Sequence, residues 1–272
     1  MTITSDITVY RADWVLPVAA PVWLDGGVAV GPDGRILAVG PAPRLVADHP
    51  GAALVDCGRS ILMPGFVNCH SHLEYTTFRG ILDDAEFGDW ILQLVDIKAS
   101  LTPDEYLDSA RLGVAESVAS GITTVADTSY TGLSLKAAGE AGLRGRVYLE
   151  VYGIDDARLD DTLARIDSRL EASRAMASRL FDVGLMAHAP YTVSSRLYEA
   201  IAERSRAEGL RVASHVAESR RARTSARAGS RRRGWRPGVP RRGCARRSPR
   251  RACSRRGRER APGGRRRRAA RP

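Results

Sequence analysis

Two histidines, His70 and His72, follow the apolar segment 61–67 of the sequence. In an extended strand, the side chains at positions i and i+2 point to the same face, so both imidazoles can face one metal ion. A third histidine, His215, follows another apolar segment, and Glu218 comes three residues later. Three imidazoles with a nearby carboxylate favour metal-assisted hydrolysis, in which the carboxylate serves as the base.

These residues stand at the ends of segments whose patterns alternate between strand and helix. Strand–helix alternation is typical of a parallel sheet. Since chemistry gathers at the carboxyl ends of the strands in βα barrels, we expect the histidines to lie near Asp127, Glu150 and His188, which end other strands. Strands are predicted at residues 61–69, 122–127, 146–151, 183–188 and 210–215, and helices at 103–119, 159–179 and 195–207.

Each of these residues taken alone also has an ordinary explanation. His70 and His72 could be polar residues at a strand end, and His188 could cap the loop that follows it. Asp127 could be a solvated turn residue, and Glu150 could pair with an arginine. Their joint placement at strand ends is what favours a functional site.

The residues before position 61 predict a small β domain over residues 1–60. Strand patterns occur at 7–10, 27–30 and 35–39. Glycine, proline and aspartate at positions 31–34 predict a hairpin turn between the last two strands.

Charge divides the chain at residue 218. Residues 219–272 contain 23 arginines, no lysine and one acidic residue, a net charge of +22, so residues 1–218 carry −11 of the overall +11. The first part has the composition of a globular domain. The second has almost no aliphatic residues and is predicted to be a disordered, low-complexity tail.

Cysteine content and hydropathy narrow the class of protein further. The four cysteines form no CxxC pair, so a disulfide framework is not expected. No segment has the roughly 18 apolar residues of a membrane span, and the first residues lack the features of a signal peptide. We therefore predict a cytoplasmic protein with no membrane partner.

Five motifs together resemble the amidohydrolase superfamily. Within it, the chain is similar to the aminohydrolase branch, which includes cytosine, guanine, S-adenosylhomocysteine and aminofutalosine deaminases and triazine hydrolases. The matching motifs lie at residues 63–74, 78–80, 121–127, 188–192 and 215–218. The resemblance implies an α/β fold in which residues 61–218 form the first five units of a (β/α)8 barrel and residues 1–60 form part of a composite β-sandwich.

The resemblance also implies a role for individual residues. The reaction would be hydrolysis of a non-peptide carbon–nitrogen bond, namely deamination of a small purine-like or other heterocyclic substrate, with one divalent metal ion, zinc or alternatively iron. Glu218 would be the proton shuttle between the attacking water and the leaving nitrogen. The metal ligands would be His70, His72 and His215, and the substrate-facing residues His188, Tyr191, Glu74 and Arg79.

Lysine content favours one branch of the superfamily over another. Branches with two metal ions usually bridge them with a carboxylated lysine at the end of strand four. The chain has only Lys98 and Lys136, and both precede that strand. A one-metal, deaminase-type site is therefore favoured.

The sequence departs from the family pattern after Glu218. The family pattern has three further strands, with a histidine after the sixth and a metal-binding aspartate after the eighth, and residues 219–272 contain neither residue type. We therefore expect a truncated or frame-disrupted barrel that is inactive. The alternative is a noncatalytic protein whose basic tail binds nucleic acid nonspecifically. Substrate, metal identity and oligomeric state stay open.

Overall fold

A computed structural model describes residues 6–82 and 85–218 of the chain. Within these ranges the strands form two sheets of five strands each. The segment 219–272, for which a disordered tail was predicted, lies outside the described residues. The first sheet contains β1 (Thr8–Val15), β2 (Trp23–Val30), β3 (Ile36–Pro41), β4 (Ala53–Asp56) and β5 (Ile61–Leu62), and the second contains β6 (Phe66–Ser71), β7 (Ile122–Ser129), β8 (Arg144–Val151), β9 (Phe181–Ala187) and β10 (Val212–Ala213).

The first sheet has the order β3-β2-β1-β4, with β5 also paired to β1. The predicted hairpin turn joins β2 to β3, which are antiparallel. In this turn Gly34 has φ 77°, a left-handed conformation that glycine adopts without steric cost. Helix α1 (Ala42–Asp48) covers the sheet, because Leu45 packs against Val9 and Ala29 in a small core.

The second sheet is parallel throughout, and its strands follow chain order from β6 to β10. The predicted parallel sheet is thus confirmed. It curls as a half-barrel and lacks the reversal of strand order found in doubly wound sheets. The helices that connect its strands are α2 (Phe87–Ser100) and α3 (Pro103–Ala119) before β7, α4 (Ser134–Glu140) before β8, α5 (Leu159–Met176) before β9 and α6 (Ser195–Glu208) before β10.

The start of α3 illustrates how local sequence sets these elements. Thr102 accepts a hydrogen bond from the backbone N–H of Glu105, whose carboxylate accepts one from the N–H of Thr102 at 2.7 Å. This reciprocal pair satisfies two N–H groups that the helix leaves unpaired, and Pro103 follows as the first helical residue. The predicted helix 103–119 is confirmed at both ends.

The single strand predicted at residues 61–69 is wrong. Ile61 and Leu62 pair with β1 and so belong to the first sheet, whereas β6 begins only at Phe66. Between them, Pro64 has no N–H to donate to a ladder. Gly65 lies so close to Thr123 that a Cβ atom would collide with its side chain. The apolar run continues across the break, which is why its pattern resembles one strand.

Other boundaries also differ from the prediction. Helix α5 ends at Met176 rather than 179, and β10 contains two residues rather than the predicted 210–215. Four elements were not predicted: β4, α1, α2 and α4. Across the described residues, no helix has both the length and the apolar character needed to cross a membrane.

The main core lies between the parallel sheet and its helices. Strands β7, β8 and β9 supply buried aliphatic residues, and α3 to α6 pack onto them. At the carboxyl ends of these strands the buried residues become polar, with Asp127, Ser129 and Glu150 each at most 2% exposed. The hydrophobic core therefore supports a layer of polar groups beside the histidines.

Candidate metal centre

Three histidines converge at the carboxyl end of the parallel sheet. The ring centroids of His70 and His72 are 5.0 Å apart, those of His70 and His215 are 5.0 Å apart, and those of His72 and His215 are 5.5 Å apart. One nitrogen from each ring lies within 4.8 Å of the others. Two strands that are distant in sequence thus bring their imidazoles to one point.

The backbone explains this convergence. His70 is in β6, while His72 follows the strand and has an extended φ of −130° before a 3₁₀ helix begins at Leu73. The two side chains therefore keep the spacing expected for positions i and i+2. On the other side, the N–H of His215 donates to the carbonyl of His188 at 2.8 Å, which continues the pairing of β10 with β9.

The donor set fits a divalent metal such as zinc. Imidazole nitrogen is a preferred zinc ligand, and it binds metal only in its neutral form. Burial lowers the pKa of His70, and the nearby His215 lowers it further. Burial lowers the pKa of His72 to about 4, against the opposing effect of Glu150. Both rings are therefore neutral near pH 7 and can donate a lone pair.

Glu218 lies beside this cluster, next to a strained residue. Ala217 has φ 64°, in the left-handed region that is unusual for alanine. The resulting turn brings a Glu218 oxygen to 3.8 Å from Nδ1 of His215. The hydroxyl of Tyr191 donates to the other carboxylate oxygen at 2.6 Å, and burial and this bond raise the pKa of Tyr191.

His188 presents one defined nitrogen to the same space. Its Nδ1 is 2.8 Å from the hydroxyl of Thr192, which donates its only proton to the carbonyl of Ala189 at 3.1 Å. Both hydrogen bonds of Thr192 form together only when Nδ1 carries the hydrogen, which leaves the lone pair on Nε2. Burial lowers the pKa of His188 to about 4, so the ring is neutral. Its centroid is 5.3 Å from that of His215.

Glu150, near the end of β8, was expected to lie near the histidines or to pair with an arginine, and in the structure it lies at the centre of a buried hydrogen-bond network. Its carboxylate is 2% exposed, and one oxygen accepts hydrogen bonds from Tyr152 at 2.7 Å and Tyr75 at 3.1 Å. The ammonium of Lys98 is 3.5 Å from the same oxygen. Burial raises the pKa of Glu150, but Lys98, His72 and these bonds outweigh it, so the net shift is downward.

Lys98 reaches this network from α2, a helix that was not predicted. Its ammonium lies 3.9 Å from the ring centroid of Tyr130, 4.9 Å from that of Tyr75 and 5.5 Å from that of Tyr152. Aromatic faces attract a cation, and burial lowers the lysine pKa while Glu150 opposes that shift. No local sequence signal linked Lys98 to Glu150, because the two are 52 residues apart.

The prediction that Glu74 faces a substrate is corrected by the structure. Glu74 is fully buried, and its carboxylate binds the loop that follows β7. It accepts backbone N–H groups from residues 130, 131, 133 and 134 and the hydroxyls of Ser129 and Thr131. With its oxygens so fully engaged, Glu74 fixes this loop rather than binding a ligand.

Arg79 lies at the surface, where it forms a two-pronged ion pair with Glu116 of α3 at 2.6 and 3.1 Å. It lines a cavity of about 610 Å³ together with His72, Tyr75 and Trp90. That cavity does not include His70, His188, His215 or Glu218, so it lies to one side of the histidine cluster. The substrate-binding role of Arg79 stays a prediction.

Asp127 supports the start of the 3₁₀ helix after His72. Its Oδ1 accepts the N–H of Leu73 at 2.8 Å and the hydroxyl of Ser71 at 3.0 Å. Asp127 is fully buried, and burial raises its pKa to about 7, although Ser134, Leu73 and Ser71 act in the opposite direction. The carboxyl group therefore binds the residues on both sides of His72, through the side chain of Ser71 and the backbone of Leu73.

The curled parallel sheet of five strands is consistent with part of a βα barrel, and the three histidines lie at its carboxyl end. The model of the amidohydrolase family matches residues 61–236. The chain belongs to the amidohydrolase family, and the proteins that it matches are aminohydrolases.

Three relatives illustrate this membership. The chain is 31% identical over 228 residues to a 5-methylthioadenosine/S-adenosylhomocysteine deaminase of Nitratidesulfovibrio vulgaris, covering 80% of this chain and 50% of that one. Its fold is similar to an adenosine deaminase from Xanthomonas campestris with bound zinc (TM-score 0.68, 24% identity, 82% and 52% covered). It is also similar to a guanine deaminase from C. acetobutylicum (TM-score 0.70, 17% identity, 83% and 57% covered). The chain spans about half the length of the curated relatives it matches.

Proposed function

We propose that the chain carries the metal-binding and proton-transfer residues of an aminohydrolase, which removes an amino group from a purine ring as in adenosine derivatives. The observation that carries the proposal is the convergence of His70, His72 and His215 with Glu218 beside them. The relatives named as deaminases of methylthioadenosine, S-adenosylhomocysteine and 5'-deoxyadenosine support the choice of substrate class. The proposed ligands are the three histidines, and the proposed ion is zinc.

When bound, a divalent ion supplies Lewis-acid chemistry that lowers the pKa of water toward about 7. The residues of the chain supply the rest. Glu218 receives the proton of the attacking water and delivers it to the leaving nitrogen, so that ammonia departs as a neutral molecule. Tyr191 donates a hydrogen bond to Glu218, which orients the carboxylate.

His188 contributes to substrate recognition in this proposal. Its Nδ1–H is committed to Thr192, so Nε2 can only accept a hydrogen bond. A purine ring nitrogen can donate a hydrogen bond only when it carries a hydrogen. His188 would therefore favour the form of the ring in which the nitrogen facing it is protonated.

The full chain, stripped of metal and reconstituted with zinc, tests the proposal. We expect one zinc ion per chain and, contrary to the inactive barrel expected from the sequence, ammonia release from adenosine, methylthioadenosine or S-adenosylhomocysteine. Glu218→Gln should keep the zinc and lose the turnover, whereas Glu171→Gln on the exposed side of α5 should change neither. Zinc binding without ammonia release from any of the three substrates would reject the deaminase proposal. Absence of zinc binding would reject the metal centre itself.

A further inference from the structure

The buried carboxylate of Glu150 lies next to His72, one of the three histidines of the cluster. Its Oε2 accepts from Tyr152 and Tyr75 and faces Lys98. Its Oε1 points the other way and lies 3.9 Å from Nδ1 of His72. The two oxygens thus have different surroundings, since three donors hold one and an imidazole faces the other.

The network around Glu150 contains buried charges, and their removal from water destabilises the fold. Removing a carboxylate and an ammonium from water costs free energy, and the attraction between the two charges offsets only part of that cost. Here three tyrosine rings and two hydroxyls surround one lysine–glutamate pair. The backbone is fixed as well, because Arg169 donates to the carbonyl of Glu150 at 2.6 Å and to that of Tyr130 at 2.7 Å. The position of the Glu150 carboxylate is therefore determined from several sides.

His72 has a need that this carboxylate can meet. Its Nδ1 is enclosed by protein and has no hydrogen-bond partner among the described residues. A histidine that binds metal through one nitrogen carries hydrogen on the other, and that N–H usually donates to a carboxylate or carbonyl. The present separation of 3.9 Å is about 1 Å longer than a charge-assisted hydrogen bond of roughly 2.7–2.9 Å, so the ring has to move by that distance for Nδ1 to donate.

We propose that Glu150 is the positioning residue of the metal centre: it accepts the Nδ1–H of His72, which leaves Nε2 for the metal ion. The inference rests on the proposed function, because it needs the histidine cluster to bind metal. Lys98, Tyr75 and Tyr152 hold the other oxygen and so keep Oε1 directed at His72. Glu150 acts through His72 and does not itself contact the ion.

Glu150→Gln tests this role through the direction of a hydrogen bond. The three donors at Oε2 favour the amide oxygen there, so the amide NH2 faces Nδ1 of His72. Nδ1 must then accept, which moves the ring hydrogen to Nε2 and removes the lone pair that the metal needs. We expect zinc affinity to fall by about 10- to 100-fold. The measurement is competition with a chromogenic chelator, using the full chain.

Glu74→Gln is the matched control, because Glu74 is equally buried but contacts none of the histidines. It should leave zinc affinity unchanged. Cobalt(II) provides a second readout: a positioning role keeps the same ligands, so the visible bands of Glu150→Gln should shift only slightly in energy and keep their intensity.

If Glu150→Gln does not fold, Tyr152→Phe removes one of the three donors, and we expect a smaller loss of zinc affinity, about threefold. Parent-like affinity in Glu150→Gln, or in Tyr152→Phe where only that variant folds, overturns the inference. A large change in cobalt band intensity in Glu150→Gln also overturns it, because Glu150 would then be a ligand together with His188 and His215. A parent chain that binds no zinc refutes the metal centre, and this role with it.

Discussion

Two buried glutamates lie at the carboxyl end of the parallel sheet, and their partners differ. Glu74 is bound mainly by backbone N–H groups of the loop after β7, with no cation among its hydrogen-bond partners in the described residues. Glu150 is bound by the side chains of Tyr75, Lys98 and Tyr152, and it lies beside the histidines. Glu74 and Glu150 are similarly buried, but their different partners indicate two different roles.

The difference shows how a carboxylate can be assigned to structure or to chemistry. Backbone donors fix the loop that contains them, so the carboxylate of Glu74 stabilises the chain where it stands. Side-chain donors at one oxygen leave the other oxygen of Glu150 directed at His72. The first arrangement predicts large effects on folding, and the second predicts effects on metal affinity.

The largest effect on folding should come from Glu74→Ala. The substitution leaves several buried N–H and hydroxyl groups without partners, so we expect the free energy of unfolding to fall by about 3–5 kcal/mol. Urea denaturation of the full chain measures it, with Glu171→Ala as the exposed control. A loss below about 1 kcal/mol would mean that water or neighbouring groups replace the carboxylate, and the contrast with Glu150 would disappear.

The largest effect on metal affinity should come from His72→Ala. Since losing a partner of a metal ligand costs about 10- to 100-fold, losing the ligand itself should cost more than about 100-fold in zinc affinity. Stability of the metal-free chain should change little, because the ring is partly exposed. His49→Ala is the control, since His49 is the one histidine that neither belongs to the cluster nor contacts it, as His188 does. Equal zinc binding by His72→Ala and the parent would contradict the ligand assignment.

Asp127 is a third buried carboxyl group at this end of the sheet, and its contribution to the stability of the fold depends on pH. Its pKa is about 7 in the folded chain, above the ordinary value of 3.8, so the folded state binds a proton that the unfolded state has released. Stability due to this group is therefore present at low pH and is lost as pH rises through 7. Relative to Asp127→Asn, the parent should lose about 2 kcal/mol of unfolding free energy between pH 5 and pH 7.

Urea denaturation at both pH values measures this difference. The asparagine Oδ1 can keep the bonds from Ser71 and Leu73, so the variant should fold. Ser129→Ala serves as a control for loss of a buried hydroxyl without loss of a titrating group. Parallel pH curves for the parent and Asp127→Asn would show that the carboxyl group titrates normally.

Local sequence could predict each half of the histidine cluster, because the residues within each half are close in sequence and follow a family pattern. His70 and His72 are two residues apart, and His215 and Glu218 are three apart. The parallel sheet could be predicted for the same reason, since strand and helix patterns are local. Their metal-binding roles stay predictions until affinity is measured.

The network around Glu150 could not be predicted in the same way. Its donors, Tyr75 and Lys98, precede it by 75 and 52 residues, and only the folded sheet brings them together. Glu74 was assigned to the substrate because it stands two residues after His72, at the end of the histidine motif. Its side chain, however, faces the loop 129–134, more than 50 residues further along the chain.

The smallest effect should come from Arg79→Ala, in the same motif region as Glu74. Arg79 is 71% exposed, and its ion pair with Glu116 is surrounded by water and salt, so its loss should leave stability and zinc affinity unchanged. Arg111→Ala is the matched control, because Arg111 makes a similar two-pronged pair with Glu140. If turnover is observed, a higher KM for Arg79→Ala alone, with stability unchanged, would place Arg79 at the substrate. A loss of stability would instead group Arg79 with Glu74, because the surface of this motif would then support the fold as its buried carboxylate does.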